Sequence, residues 1–268
     1  MTDTTTTPPV PAVPRRSLFG VGLDPLTMDQ TVRRCVDAVR DGEQLEIGVV
    51  NAAKLVNMRR DPALAAAVTG CDLVLADGQA VVWAARILRS PLPERVAGID
   101  LFTRLLAEAE TAGLSVYFLG AKQPVLDLML LHIAERFPKL KVAGSRNGYF
   151  EDAQQGEVAD AIAAGRAQLL FLGMTSPKKE IFTAGYGART GVNVVHGVGG
   201  SFDILAGVTK RAPVLWQRLG VEWLYRALQE PRRLGRRYLT TNVLFLLMTV
   251  RELVHRTPTA DPRSATRR

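Results

Sequence analysis

Short apolar segments alternate with longer amphipathic segments through most of this chain, and this alternation constrains the fold more than any other feature. Apolar runs bounded by turn signals predict β-strands, and apolar residues at helical spacing predict helices. The predicted strands are Glu46–Asn51, Asp72–Ala76, Ser115–Gly120, Leu140–Ser145, Gln168–Gly173 and Asn193–Val198. The predicted helices are Asp61–Thr69, Gly78–Leu88, Gly98–Ala112, Pro124–Phe137, Asp152–Arg166 and Pro177–Arg189.

This alternation predicts an α/β fold with a mostly parallel, Rossmann-like sheet that helices cover on both faces. Ligands of such sheets bind beyond the carboxyl ends of the strands, so polar residues directly after a strand are the candidates for function. The strand pattern stops at Gly207, which predicts an α/β domain over residues 17–206 and a helical appendage over 207–256. Residues 1–16 and 257–268 are predicted disordered tails, and the first lacks the apolar stretch of a signal peptide.

The formal net charge of +8 is concentrated at one end of the chain. From Gly207 onward there are 13 Lys and Arg against 4 Asp and Glu, whereas the preceding residues are nearly neutral. Such a segment indicates a surface that meets the phosphates of a membrane or a nucleic acid, or else a solvated charged helix. Two cysteines, Cys35 and Cys71, are too few for a disulfide framework or a zinc site, and they favour a reducing cytoplasm.

The basic appendage contains an uncharged stretch, Tyr238–Val250, of 13 residues. A membrane-spanning helix needs roughly 20 apolar residues, so this stretch is too short to be one. Arginines precede it at 232, 233, 236 and 237, and Arg251 follows it. This pattern fits an amphipathic helix in the membrane interface, and it equally fits a helix packed against the α/β domain.

Asp77 and Gly78 directly follow a predicted strand. A carboxylate in that place can serve as a general base or bind a ribose, and it can also simply cap the next helix. Arg95, in the loop before another helix, offers a guanidinium that suits phosphate, although a surface salt bridge would explain it equally.

Two further turns between a strand and a helix carry candidate phosphate ligands. The turn Gly197–Asp203 contains Gly199 and Gly200, whose backbone N–H groups could face a diphosphate. In Gly173–Glu180, Lys179 falls in the first turn of a helix, where a cation is unfavourable unless a ligand phosphate offsets it. The alternative is that Lys178 and Lys179 point into solvent.

Together these motifs resemble one family, the bacterial WecG/TagA/CpsF glycosyltransferases, from roughly Leu18 to Leu253. The matching strings are Val50–Ala52, Ala76–Gly78, Pro93–Asp100, Ser176–Glu180, Gly197–Asp203, Lys210–Pro213, Glu222–Arg226 and Glu230–Arg233.

The resemblance implies an inverting transfer of a sugar from a UDP-sugar, held by the α/β domain, to a polyprenyl-diphosphate-linked sugar in cell-surface polysaccharide biosynthesis. It places the enzyme in the cytoplasm, peripheral on the inner face of the membrane. It is compatible with a homo-oligomer. Asp77 would be the catalytic base. The implied substrate-binding residues are Asn51, Arg95, Lys179, Gly199, Gly200, Asp203, Arg211, Arg232, Arg233 and Arg236.

Two residues depart from the family pattern. Val49 stands where many members have Thr, and Lys179 where many have Gln, so the donor sugar is not copied from a relative. The chain has no Asp-x-Asp. We therefore expect catalysis without a metal or cofactor, with Arg95, Lys179 and the C-terminal arginines stabilising the leaving diphosphate.

Two other functions compete with this interpretation. The basic segment, with Trp216, Trp223 and Tyr225, would suit a nucleic-acid-binding protein, but no recognised nucleic-acid module accompanies it, so we expect no nucleic acid as partner. A catalytically inactive nucleotide-sugar sensor is the second alternative, and Asp77 argues against it.

Overall fold

The computed structural model describes residues 13–229, 231 and 235–255. In this part of the chain, six parallel strands form one sheet in the order β4-β3-β8-β7-β5-β6, and β1 and β2 form a separate antiparallel hairpin. The strands are β1 Arg16–Leu18, β2 Val21–Leu23, β3 Leu45–Val50, β4 Leu73–Ala76, β5 Ser115–Gly120, β6 Lys141–Arg146, β7 Leu169–Gly173 and β8 Val194–Gly197. The six predicted strands are therefore confirmed as β3 to β8.

Helices connect these strands, as the crossover between parallel strands requires. They are α1 Met28–Asp41, α2 Ala52–Met58, α3 Pro62–Thr69, α4 Gln79–Ile87, α5 Gly98–Ala112, α6 Gln123–Arg136, α7 Gln155–Gly165, α8 Lys178–Tyr186, α9 Ser201–Leu205, α10 Val214–Arg218, α11 Glu222–Gln229 and α12 Arg236–His255. The six predicted helices correspond to α3 to α8.

The sequence analysis missed the hairpin, α1 and α2. Helix α1 carries signals that could have identified it, because Thr27 and Gln30 form a reciprocal capping box and Gly42 ends the helix at φ 69°. Helix α2 has only seven residues and follows β3 directly. A segment that short shows too little periodicity to be recognised.

Both faces of the sheet are buried under helices, as predicted. Along β7, Leu169 and Phe171 pack in a cluster with residues of α1, α5 and α6. Leu170 and Leu172 point the other way and pack with residues of α7 and α8. Successive strand residues face opposite sides, so each side needs its own apolar cover. The edge strand β6 is more exposed.

An aromatic cluster fills the first face next to the carboxyl ends of the strands. The rings of Phe102, Phe118, Phe171 and Phe202 lie with centroids 4.6 to 6.3 Å apart. Gly173 ends β7 beside this cluster, and a Cβ there would overlap the Phe202 ring. Glycine at 173 is thus required for Phe202 to pack against the sheet.

The last helix, α12, packs against α2 and contributes Phe245 and Met248 to the core on the second face. Its other face is apolar but exposed, for example at Leu246 and Val254. In the part of the chain that the structure describes, no helix is both long enough and apolar enough to cross a membrane.

The predicted tails lie mostly outside the described residues, which omit 1–12 and 256–268. At the amino end, the regular structure begins earlier than the predicted boundary at 17. Arg16 belongs to β1, and the guanidinium of Arg15 donates to the carbonyl groups of Cys71 and Asp72.

Candidate functional site

A cavity of about 170 Å³ lies at the carboxyl ends of β3, β4 and β8. These strands are neighbours in the sheet, so the turns that follow them meet at one edge. The appendage closes the cavity with residues from α11 and α12. The lining residues are Val49, Asn51, Ala52, Ala53, Asp77, Gly78, Gln79, Ala80, Arg95, Ala97, Gly98, Ile99, Gly197, Val198, Ser201, Gly220, Glu222, Trp223 and Asn242.

Asp77 lies half-buried in the cavity wall, and it does not cap the helix that follows it. The N-cap of α4 is Gly78, and no side chain bonds to that helix start. Instead, Oδ1 of Asp77 accepts a hydrogen bond of 2.8 Å from the backbone N–H of Gly98, at the start of α5. Among the described residues, no donor contacts Oδ2. The carboxylate is thus held at one oxygen and available at the other.

Asn51 directly follows β3 and has two roles. Its Oδ1 accepts a 3.0 Å hydrogen bond from the N–H of Lys54, and this bond caps the amino end of α2. The same side chain lines the cavity. Because capping uses the carbonyl oxygen, the amide NH₂ is the group that can donate to a ligand.

Arg95 lines the cavity and joins an ion-pair network that reaches the appendage. Its guanidinium lies 3.3 Å from Glu222 on α11 and 3.8 Å from Asp100 on α5. Asp100 in turn accepts two hydrogen bonds, of 2.6 and 2.8 Å, from Arg211. The network places one cation in the cavity wall and ties the appendage to the sheet edge. It brings the predicted residues Arg95 and Arg211 together.

Lys179 is neither in solvent nor in the cavity. It is 7% exposed, and its aliphatic stem lies against Gly197, where an added Cβ would be 3.0 Å from it. Its Nζ is 2.8 Å from Oε1 of Glu180, which also accepts a 2.7 Å hydrogen bond from buried Lys54. A carboxylate of the protein thus takes the place expected for a ligand phosphate. Lys178 is engaged too, donating to the Phe150 carbonyl at 2.9 Å.

The charges of this buried cluster, Lys54, Lys179 and Glu180, shift one another. Burial and the neighbouring ammonium of Lys54 lower the pKa of Lys179 to about 8. Burial alone would raise the pKa of Glu180, but the two ammonium groups outweigh it and lower that pKa to about 2.

The model of the Glycosyl transferase WecG/TagA/CpsF family matches residues 16–259. The chain belongs to this family of glycosyltransferases.

One curated relative is the N-acetylglucosaminyldiphosphoundecaprenol N-acetyl-beta-D-mannosaminyltransferase of Bacillus spizizenii. It is 37% identical over 174 residues, which cover 65% of this chain and 67% of the relative. The family match over residues 16–259 spans every strand of the sheet and every residue that lines the cavity.

Not all residues predicted for the glycosyltransferase site reach the cavity. Gly199, Gly200 and Asp203 do not line it, whereas Gly197, Val198 and Ser201 of the same turn do. The N–H groups of Val198 and Gly199 both donate to the Leu172 carbonyl, and that of Ser201 donates to Val198. These three N–H groups are therefore used within the turn, and the binding of a diphosphate by Gly199 and Gly200 stays a prediction.

Arg232 and Arg233 lie outside the described residues, and Arg236 is the first residue of α12, with its side chain outside the description. No group of three or more His, Cys, Asp and Glu suited to a metal ion occurs in the described parts of the glycosyltransferase.

The sequence analysis missed three residues at the site. Glu222 was noted only as part of a motif, although it pairs with Arg95 in the cavity wall. The side chain of Asn242 lines the cavity, and its Nδ2 is buried with no hydrogen-bond partner within the described structure. His196 is fully buried at the end of β8. None of the three carried a local signal, since each acquires its neighbours only through the fold.

His196 makes the enzyme less stable in acid. Burial lowers its pKa from 6.5 to about 4, against the weaker effect of the Gly98 carbonyl. Between these values the unfolded chain binds a proton that the folded chain does not. The free energy of unfolding should therefore fall by about 3 kcal/mol as the pH drops from about 6.5 to about 4. Urea denaturation of wild type and His196→Gln across this range should show a steeper loss for wild type, and parallel curves would contradict the assignment.

Proposed function

We propose that this glycosyltransferase moves a sugar from a UDP-sugar to the sugar of a polyprenyl-diphosphate-linked acceptor, with inversion, at the inner face of the cell membrane. The observation that carries this proposal is the carboxylate of Asp77, held through Oδ1 by Gly98 and lining a cavity that also contains the guanidinium of Arg95.

The chemistry follows from these two groups. Asp77 would accept the proton of the acceptor hydroxyl as that oxygen attacks the anomeric carbon of the donor. The bond from the anomeric carbon to the diphosphate breaks on the opposite side, so the configuration inverts and UDP leaves. Arg95 would stabilise the charge that develops on the leaving diphosphate. To do so, Arg95 has to exchange part of its contact with Glu222 for the ligand.

The acceptor class is proposed from the named relative, whose substrate is a diphosphoundecaprenol carrying N-acetylglucosamine. We do not infer the identity of the donor sugar from that relative, because two residues that depart from the family pattern lie at the site. Val49 lines the cavity, and Lys179 lies under its floor. A membrane-linked acceptor also accounts for the basic appendage without a nucleic acid.

The direct test is a transfer assay. Purified protein is incubated with a panel of UDP-sugars, including UDP-N-acetylmannosamine, and with N-acetylglucosaminyl-diphosphate-polyprenol as acceptor. The mass of the lipid product is measured by mass spectrometry. A product heavier by one sugar supports the proposal. The absence of product with every donor, for a protein that binds UDP, would support the sensor alternative.

Metal independence is a separate prediction. The chain has no Asp-x-Asp, and a protein cation, Arg95, already lines the cavity. We expect the initial rate in excess EDTA to equal the rate without it. A loss of rate that Mg²⁺ or Mn²⁺ restores would show that a metal supplies the electrostatic stabilisation instead.

The exposed face of α12 is proposed to lie in the membrane interface. Leu246 is 62% exposed and Leu253 is half-exposed, on the face away from the core residues Phe245 and Met248. Replacing both leucines by Glu removes apolar surface and adds repulsion from anionic lipid. Since a buried Leu is worth about 1.5–3 kcal/mol, vesicle binding should weaken more than tenfold.

The membrane experiment uses sedimentation with vesicles of phosphatidylglycerol and phosphatidylcholine. Leu131→Glu is the matched control, because Leu131 is 63% exposed on α6, a helix of the other sheet face. Equal loss of binding in the control would indicate a nonspecific charge effect. Substitutions are preferable to truncation here, because deleting α12 would also remove Phe245 and Met248 from the core.

A further inference from the structure

His196 is a fully buried histidine at the end of β8, with one polar contact. Its Nε2 lies 3.0 Å from the carbonyl oxygen of Gly98. A carbonyl only accepts, so Nε2 carries the proton and the Nδ1 of the neutral ring is a bare acceptor. Within the described structure that Nδ1 has no hydrogen-bond partner. A buried unpaired acceptor costs free energy that an apolar side chain would not, so what this ring supplies is its Nε2–H.

Gly98 connects this ring to Asp77. Its N–H donates to Oδ1 of Asp77 at 2.8 Å, and its carbonyl accepts from His196. A Cβ at Gly98 would lie 3.8 Å from the His196 ring, 3.8 Å from the Val49 side chain and 3.9 Å from Oδ1 of Asp77. Two hydrogen bonds through the backbone of Gly98 therefore connect His196 on β8 to Asp77 after β4, across the end of β3.

We propose that His196 is a positioning residue for Asp77, acting through the backbone of Gly98. The ring holds the Gly98 carbonyl, which fixes the first turn of α5 over the sheet edge. The Gly98 N–H then stays directed at Oδ1, and Oδ2 remains directed at the acceptor hydroxyl. This inference rests on the proposed function only in assigning that hydroxyl. The positioning of the carboxylate is a property of the protein alone.

The positioning has a measurable structural consequence. Without the hydrogen bond from His196 to its carbonyl, Gly98 should open more often, so its N–H should leave Oδ1 of Asp77 and exchange with solvent faster. The charges acting on Asp77 include those of Lys179 on α8 and of Arg211 after α9. Lys54 on α2 faces His196 as well, and Arg95 and Glu222 share the cavity. Because His196 is neutral above its own titration range, replacing it changes none of these charges.

The experiment compares wild type with two variants of the full chain. In His196→Leu the donor is lost while the site stays filled. In His196→Gln the side-chain amide places an N–H near the former Nε2, so the bond to the Gly98 carbonyl can form again. Thermal unfolding confirms that each variant is folded. The exchange of the Gly98 amide hydrogen with solvent is followed by NMR of ¹⁵N-labelled protein.

We expect the Gly98 amide hydrogen to exchange faster in His196→Leu than in wild type, and at the wild-type rate in His196→Gln. In the transfer assay His196→Leu should lose about tenfold in kcat with KM nearly unchanged. His196→Gln should restore the wild-type kcat. A Gly98 exchange rate that is the same in all three proteins, or that rises equally in both variants, would overturn the inference.

These readouts separate the inference from the proposed function. If wild type transfers no sugar, the proposed function fails, and the exchange of the Gly98 amide still decides whether His196 positions Asp77. If transfer is efficient and the amide exchange does not distinguish the variants, the function stands and the positioning role is wrong.

Discussion

Asp77→Asn should reduce kcat for sugar transfer by about 10² to 10⁴ and leave UDP affinity nearly unchanged. The substitution is well matched to the structure, because an Asn carbonyl oxygen can still accept the 2.8 Å hydrogen bond from the Gly98 N–H. The cavity should therefore keep its shape. What the variant loses is the ability to take a proton from the acceptor hydroxyl. The rate is measured with saturating donor and acceptor, and UDP affinity by calorimetry.

Glu222 provides the control for this prediction, since it is the other carboxylate that lines the cavity. It pairs with Arg95, so Glu222→Gln should change donor affinity more than kcat, with kcat remaining within about tenfold of wild type. The opposite pattern would be an inactive Glu222→Gln and an Asp77→Asn that keeps more than about half of the wild-type kcat. That result would indicate that Glu222 is the base.

Glu180→Gln should lower the free energy of unfolding by about 3–5 kcal/mol, the largest stability effect we expect from a single substitution that preserves side-chain shape. Lys54 and Lys179 both contact Oε1 of Glu180 and are themselves buried. Removing the anion leaves the two buried lysines without a counter-charge, so free energy is lost either to an unpaired ammonium or to deprotonation of Lys179. Urea denaturation followed by circular dichroism measures the loss.

Asp160→Asn is the matched control for Glu180→Gln. Asp160 forms an equally close ion pair with Arg189, but both side chains are more than half exposed. Water replaces such a partner, so the unfolding midpoint of the control should hardly move. A loss below about 1 kcal/mol in Glu180→Gln would mean that water reaches the cluster as well.

The sequence alone was sufficient for the architecture and for the position of the principal candidate residue. The strand-and-helix alternation is local information, because the side-chain period of each element is written in the neighbouring residues. It predicted all six strands of the sheet, their burial on both faces, and the place of Asp77 at the end of β4. It also identified Arg95, which stands in the loop before a helix, whereas Asn51 was implied by the family resemblance alone.

Tertiary structure decided what those residues do. Asp77 could cap α4 or serve as a base, and its bond to Gly98, 21 residues away, shows that it does not cap α4. The fold brought Lys54 to Glu180 across 126 residues and Arg95 to Glu222 across 127. His196 reached Gly98 across 98 residues in the same way. These partners are chosen by the strand order β4-β3-β8, which places distant segments at one sheet edge, and no local spacing records that order. The charge of a side chain is thus evident from the sequence, but whether water, a ligand or another side chain balances that charge depends on which segments the sheet brings together.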